Sequence, residues 1–301
     1  MRVLITGATG LIGSRIVGLC HKNNIQVNYL TTSKSKIEYK NDYRGFYWNL
    51  KTQEIDTTCF EDVSTIIHLT GASISKRWTS KYKKEIIESR TTSTALLINA
   101  LKGESHGIKQ VISASAIGVY PHSLINYYDE GNKAINDSFL GKVVTVWEQS
   151  VDGFSKLGIE VAKIRIGLVL AENGGALQEI VKPIKYGFGA AFGSGKQWQS
   201  WIHIQDLSNL FIFVLKYRLQ GVFNGVAPNP VTNKDLIKTT AQVLRKPLIL
   251  PNIPEILMKM ILGEMHIILF ESQRVSSKKL QNKGFNFKFN YLESALKDLL
   301  A

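Results

Sequence analysis

The chain has 301 residues, of which 44% are hydrophobic and 20% charged, with 37 basic against 24 acidic side chains and a formal net charge of +13. That length suits one large domain or two intimate ones with an ample core. Two distant cysteines, Cys20 and Cys59, exclude a disulfide framework or a cysteine-rich metal site, and no apolar run reaches the ~18 residues a membrane span needs. In chain order, Arg2–Thr6 reads as a buried strand, Leu11–Asn23 as a helix and Ile25–Thr31 as a second strand. Val63–Thr70 reads as another strand, about Thr79 to Leu101 as a long helix, Lys109–Ser115 as a strand and about Gly141–Leu157 as a helix. Glu160–Leu170 reads as one further strand. Strands alternating with helices of this length predict βαβ units in a parallel sheet with helices on both faces.

After Leu170 the rhythm changes: a turn at Glu172–Gly175, a short helix, a glycine-rich stretch over Gly187–Gly195, and later helices at Asn233–Leu244, Pro254–Leu262 and Tyr291–Leu300. The expected architecture is α/β: a Rossmann-type doubly wound parallel sheet in residues 1–170, to which later segments can return, and a smaller C-terminal α+β lobe in residues 171–301 that carries substrate contacts. The N-terminal Met1–Ile5 runs straight into a glycine motif, which reads as leaving no room for a signal peptide, so a reducing cytoplasm is expected. Lys and Arg are scattered rather than gathered around aromatic platforms, so the positive charge reads as solubility and attraction of anionic ligands. The densest group, Lys76, Arg77, Lys81, Lys83 and Lys84, reads as a solvated helix start with an anion-facing option. A small-molecule substrate, anionic or sugar-like, is expected as partner, with no nucleic acid, membrane or metal, in a monomer or homodimer.

The most informative octet is Thr6-Gly7-Ala8-Thr9-Gly10-Leu11-Ile12-Gly13, between a predicted strand and a predicted helix. Gly7 permits the tight turn, Gly10 lets backbone approach a pyrophosphate, and Gly13 allows close helix–strand packing. Free amides and the positive end of the helix dipole then hold phosphates. The end of the second strand reads Thr31-Thr32-Ser33-Lys34-Ser35-Lys36, without a carboxylate. An NAD site usually places Asp or Glu there for the ribose, so hydroxyls and Lys34 favour NADP(H), with NAD(H) as the alternative.

Gly7-x-x-Gly10-x-x-Gly13 after a Thr resembles the short-chain dehydrogenase/reductases. More narrowly, Lys76-Arg77-Trp78, Glu88-Ser89-Arg90, Ser113-Ala114-Ser115-Ala116-Ile117-Gly118, Arg165-Ile166-Gly167-Leu168-Val169-Leu170 and Gly193-Ser194-Gly195-Lys196-Gln197 resemble the YfcH-like epimerase family. So do Trp201-Ile202-His203-Ile204-Gln205-Asp206, Phe223-Asn224-Gly225-Val226-Ala227-Pro228 and Glu271-Ser272-Gln273-Arg274-Val275. This group stands near the NAD-dependent epimerase/dehydratases. The resemblance implies an NADP(H) site at Gly7, Gly10, Leu11, Ile12, Thr31 and Thr32. It adds Leu69-Thr70-Gly71 at a strand end, with Glu85 and Arg90 on the following helix.

In this superfamily a Tyr-x-x-x-Lys pair on one helix usually supplies the acid and base, and a Ser at the preceding strand end shares the substrate oxygen. Ser115 fits that Ser, but the Tyr slot holds Val144 and the Lys slot Glu148; Tyr47-x-x-x-Lys51 has the spacing but lies too early in the chain. The YfcH-like group also lacks the usual pair. Ser115 and Tyr120, five residues on, are the candidate catalytic residues. His122 reads as solvent-facing, His203 as part of a half-buried strand, and Asp206 as the cap of a helix starting near Leu207. The glycine-rich segment reads as a lid, with Lys196, Gln197, Arg77 and Trp78 offered to a polar anionic substrate. Two functions stay open: an NADP(H)-dependent oxidoreductase or nucleotide-sugar-epimerase-like enzyme acting on a carbonyl or hydroxyl, or a non-catalytic dinucleotide-binding sensor or scaffold.

Overall fold

The structure, a computed structural model, describes residues 1–300. Its first half runs β1 (Arg2–Thr6), α1 (Leu11–Lys22), β2 (Gln26–Thr31), β3 (Tyr43–Asn49), β4 (Glu54–Ile55), β5 (Val63–His68), α2 (Ser80–Gly103), β6 (Gln110–Ala116) and β7 (Tyr127–Tyr128). Next come α3 (Phe139–Asp152), β8 (Glu160–Ile166), β9 (Leu168–Leu170), α4 (Ala176–Lys185), β10 (Trp198–Gln199), β11 (Trp201–His203), α5 (Ile204–Lys216) and β12 (Gly221–Gly225). The chain ends with β13 (Val231–Thr232), α6 (Asn233–Val243), α7 (Glu255–Leu262), α8 (Ile267–Phe270), β14 (Arg274–Val275), α9 (Lys278–Asn282) and α10 (Leu292–Leu300).

One sheet of eight strands, in the order β12-β8-β6-β5-β1-β2-β3-β4, carries the fold. All its pairings are parallel except β3 with β4. Strands covered on both faces read as continuous apolar runs, and β1 is buried at all five positions. Helices α1 and α5 pack together, as do α2 and α3. From β1 the chain works outward through β2 and β3, then returns to β5 on the other side. The sheet order therefore reverses between β1 and β5, and a crevice opens there at the carboxyl ends of the strands.

Two departures from the predicted elements have local causes. The stretch expected as one strand over Glu160–Leu170 breaks at Gly167, where an added Cβ would lie 2.1 Å from the Ser200 carbonyl oxygen. That approach lets the chain leave the main sheet, and β9 pairs instead with β11. Residues 204–225 then return as α5 and β12, the latter extending the sheet beside β8. The cap of α5 is His203, whose Nδ1 accepts from the Gln205 amide at 3.0 Å. Asp206, expected to cap, lies inside the helix and accepts from the Lys288 and Phe289 amides, each at 2.9 Å. It ties the C-terminal segment to the sheet domain.

A second core, built from Leu177, Val181, Trp201, Leu236, Phe289 and Leu296, holds α4, α6 and α10 together as the smaller C-terminal lobe. No helix among the described residues is long and apolar enough to cross a membrane.

Candidate functional site

The turn from β1 into α1 faces the crevice. Gly7 has φ +70°, in the left-handed region where side chains are strained, and the Gly10 amide donates back to the Gly7 carbonyl at 3.0 Å. Gly13 meets that same carbonyl: a Cβ there would lie 2.1 Å from it. The turn is thereby closed onto the helix. Thr9 and Gly10 are exposed, Leu11 and Ile12 half-buried. No side chain caps α1 and no acidic residue occupies its first turn, so its positive end faces the crevice uncompensated.

A buried hydrogen-bond chain fixes the far wall. Thr6 Oγ1 accepts from the Leu69 and Thr70 amides at 3.0 and 3.3 Å, so its own proton goes to His68 Nδ1, 2.8 Å away. Thr94 Oγ1 donates to the Arg90 carbonyl at 2.8 Å and is left to accept from His68 Nε2 at 3.1 Å. His68 is fully buried, and desolvation pushes its pKa down to about 4, which agrees with a neutral ring donating from one nitrogen and accepting at the other.

Leu69, Thr70 and Gly71 leave β5 beside this cradle. The guanidinium of Arg90 packs on Gly71, where a Cβ would lie 2.9 Å from its central carbon, and lies over the Trp147 ring at 4.9 Å. Its Nη1 donates to the Ile86 carbonyl at 2.8 Å, but its Nε is buried without a partner, and so is the hydroxyl of Thr70. Burial holds the Arg90 pKa down at about 10. Among the described residues no carboxylate pairs with Arg90. Glu85 is exposed on α2, and Glu88 pairs with Lys84 at 3.5 Å. A half-buried cation lacking an anion, with one N–H shut off from water, is a costly arrangement that an anionic ligand relieves.

At the end of β2, Thr31 Oγ1 accepts from the Ser33 amide at 3.2 Å, while Thr32 and Lys34 are exposed. Lys34 Nζ lies 5.0 Å from the centre of the Tyr47 ring, and the chain from Thr31 to Lys36 presents hydroxyls and ammonium groups only.

Ser115 pairs in register with Arg165 across β6 and β8. Its hydroxyl donates to Glu148 Oε1 at 2.6 Å. Arg165 grips the same carboxylate in a fork, Nε to Oε1 and Nη2 to Oε2, both at 2.9 Å. Its remaining arm donates to the Tyr120 hydroxyl at 3.0 Å, which in turn donates to Asn224 Oδ1 at 2.7 Å. Burial alone would raise the Glu148 carboxyl, but the Arg165 hydrogen bonds and charge, the Ser115 hydrogen bond and nearby Lys163 outweigh it and hold the group below its ordinary value. The slot where a lysine is usual thus contains an ionised carboxylate locked to an arginine.

Of the two catalytic candidates, only Ser115 keeps unused hydrogen-bonding capacity, its lone pairs. Tyr120, buried at 0% exposure as Ser115 is at 3%, differs in that its hydroxyl is committed in both directions, and burial raises its pKa. It is a strut between Arg165 and Asn224. Glu148, Arg165 and Asn224 were missed as a group because their meeting depends on strand register and on the late return of β12.

Beyond the N-terminal turn of α3 an open cleft of about 470 Å³ runs toward the C-terminal lobe, lined by His122, Asn136, Ser138, Gly193, Glu255 and Glu271. Its lining includes no lysine or arginine. His122 is exposed, with Nδ1 accepting from the Ser272 amide at 3.2 Å. The expected contacts to an anionic substrate divide. Lys196 and Arg77 are exposed, whereas Trp78 is buried, donating to the Ile74 carbonyl, and Gln197 is buried, donating to the Phe192 and Leu269 carbonyls. The glycine-rich stretch is anchored as well. The Phe192 amide donates to Asn233 Oδ1 and the Gly193 amide to the Ile253 carbonyl, which argues against a free lid.

A nicotinamide dinucleotide fits these residues on three observations: an open amide cradle, a close-packed glycine behind it, and two orphaned buried polar atoms alongside. Comparison with known proteins agrees. Residues 3–138 match the NAD dependent epimerase/dehydratase family, and residues 253–299 match a domain of unknown function, DUF1731. An epimerase family protein of Staphylococcus aureus is 36% identical over 304 residues, covering 99% of this chain and 98% of its own. The human epimerase family protein SDR39U1, solved with NADPH, superposes with a TM-score of 0.86 at 27% identity, with 99% of each chain covered. A UDP-glucuronic acid 4-epimerase from Bacillus cereus, solved with UDP-glucuronic acid and NAD, shares the fold at 16% identity, with a TM-score of 0.79 and 99% and 97% of the two chains covered.

Proposed function

Because this chain belongs to the NAD-dependent epimerase/dehydratase family, with a DUF1731 domain at its C-terminal end, we propose that it binds NADP(H) at the β1–β5 crevice and acts as an oxidoreductase or epimerase on a hydroxyl or carbonyl of a sugar-like substrate. The observation that carries the reading is Arg90, a half-buried cation whose buried Nε is unpartnered beside the orphaned hydroxyl of Thr70, at the edge of the glycine cradle. Gly7, Thr9, Gly10, Leu11, Ile12 and Gly13 form the turn that meets the pyrophosphate, and Leu69, Thr70, Gly71 and Arg90 line the opposite wall. The carboxylate-free end of β2, with Thr31, Thr32 and Lys34, favours the 2′-phosphate of NADP(H) over the bare ribose of NAD(H). Glu85, which the family resemblance adds to this set, stands exposed on α2, one turn and a half before Arg90.

When bound, the nicotinamide supplies hydride chemistry. The protein's part is placement and proton control. Ser115 meets the substrate oxygen; its own proton points to Glu148, so its lone pairs are left to accept a hydrogen bond from a substrate hydroxyl. Glu148 and Arg165 hold that orientation, and Tyr120 with Asn224 holds Arg165. The cleft toward the C-terminal lobe, free of lysine and arginine and lined by polar groups together with the apolar Leu124, Ile267 and Phe270, suits a polyhydroxylated substrate with an apolar ring face.

Calorimetric titration of the full chain with NADPH and NADH tests the reading. Tight NADPH binding, weaker NADH binding and loss of affinity in Arg90→Met are the expected results. An Arg90→Met protein that folds and binds NADPH as the wild type does would remove the crevice as the cofactor site. Turnover of NADPH with a panel of nucleotide sugars, aldehydes and quinones separates the enzyme from a dinucleotide sensor, which binds and does not turn over.

A further inference from the structure

Glu148 is 8% exposed, and it reverses the charge that a lysine would place at this point of α3. Its neighbour Trp147 packs against Arg90 of the crevice wall, and Ser115, bonded to it, lies near the carboxyl end of β6, two residues past the last pairing with β5 at Ser113. The charges around it balance: Glu148 and Asp152 stand against Arg165 and Lys163, with Lys163 Nζ 2.8 Å from Asp152 and 3.9 Å from Glu148. A lysine in this slot would leave the edge cationic. The nicotinamide ring is itself cationic when oxidised and neutral when reduced, so the local charge discriminates between the two states.

We propose that Glu148 is a redox-state selector: by cancelling the Arg165 charge it lets the site hold the oxidised, positively charged nicotinamide, and thereby sets the ratio of NADP⁺ to NADPH affinity. This rests on the cofactor site proposed above. The orientation of Ser115 is an independent observation that points the same way. A serine whose proton is committed to a carboxylate accepts from a hydroxyl, and a hydroxyl is the group that reacts with an oxidised cofactor.

The experiment is calorimetric titration of the full chain with NADP⁺ and with NADPH, at fixed salt, for the wild type, Glu148→Gln, Ser115→Ala and Arg165→Gln. Removing the carboxylate leaves Arg165 uncompensated. Two unit charges about 10 Å apart, at an effective dielectric constant of about 20, interact by an amount worth roughly tenfold in affinity, and that is the expected weakening of NADP⁺ relative to NADPH. Ser115→Ala keeps every charge and leaves the ratio unchanged, while Arg165→Gln, compared with the wild type at pH 9 so that Glu148 stays ionised without its guanidinium, moves it in the opposite direction. A purely structural role for Glu148 would lower both affinities alike. Thermal melts identify any variant that does not fold, and the opposite sign expected of Arg165→Gln gives a second reading should Glu148→Gln fail. A Glu148→Gln ratio within about twofold of wild type, with NADPH still bound, overturns the proposal, as does a shift of the same sign in both variants. If the wild type binds neither dinucleotide, the cofactor reading itself falls and takes this one with it.

Discussion

Gly13 offers the sharpest test of the cradle. An added Cβ would lie 2.1 Å from the Gly7 carbonyl oxygen, 2.9 Å from the Gly7 carbonyl carbon and 2.8 Å from the Ala8 Cα. All three are backbone atoms, so no side chain can swing away, and α1 must retreat from the turn by roughly 1 Å. Overpacking of this kind costs about 1–3 kcal/mol, and the rigid neighbours place Gly13→Ala near the top of that range. With an unfolding entropy near 2.1 cal/mol/K per residue, a chain of this length loses about 5 °C in Tm. The same retreat pulls the Leu11 and Ile12 amides from the phosphates, so NADPH affinity falls at least about tenfold, the effect of losing roughly one charge-assisted hydrogen bond. Gly18, in the same helix, is the control: nothing lies within 4 Å of its added Cβ. Gly18→Ala gains up to about 1 kcal/mol of helix propensity and leaves NADPH binding alone. Differential scanning calorimetry and titration calorimetry read both effects. A Gly13→Ala protein that melts within a degree or so of wild type and binds NADPH equally well would refute the close-packed turn.

Lys34→Glu shifts the NADPH to NADH affinity ratio toward NADH, read by the same titrations, and an unchanged ratio removes Lys34 from the site. Tyr120→Phe strips the bridge between Arg165 and Asn224 and leaves a buried acceptor unmatched, which lowers stability by about 1–3 kcal/mol while NADPH affinity holds. A large loss of binding without a loss of stability would return Tyr120 to the reacting centre. His68 makes stability depend on pH: its folded pKa of about 4 lies below the ordinary 6.5, so the unfolded chain binds the extra proton and stability falls as pH drops from about 6.5 toward 4. The loss from this one ring is about 2 kcal/mol by pH 5, and chemical denaturation of His68→Gln across that range shows a shallower slope.

Much of the sheet domain was legible because its strands are buried on both faces and so stand out as apolar runs, while Gly7, Gly10 and Gly13 announce a turn few other residues permit. The strands that escaped notice obey different rules. β3 alternates as an outer strand does, with Tyr43, Tyr47 and Asn49 partly open, and β12 is a short run between glycines. The break at Gly167 was illegible because its cause, the Ser200 carbonyl, arrives from 33 residues downstream. Trp78 and Gln197 misled for a related reason. An aromatic and an amide near glycines suit a ligand, but each is satisfied internally by carbonyls the sequence cannot bring into view.

The acid/base region shows how far local reading extends. From the sequence, Val144 and Glu148 are a loss: one residue cannot move a proton and the other has the wrong charge for a lysine's role. The structure turns the loss into a substitution, because the register that sets Ser115 beside Arg165 also delivers a guanidinium to Glu148. A carboxylate left alone at 8% exposure would take up a proton; forked by Arg165 it stays charged, and a charged carboxylate orders the Ser115 hydroxyl where a neutral acid would compete to donate. Arg165 in turn needs its third arm satisfied, which Tyr120 does, and Tyr120 needs Asn224. The last sheet strand, returning after a long excursion through the C-terminal lobe, thus closes a network whose first member sits 109 residues earlier at Ser115. Residues at 115, 120, 148, 165 and 224 have no shared spacing, so only the folded sheet could join them, and removing any one member exposes a charge or a buried polar group on the next.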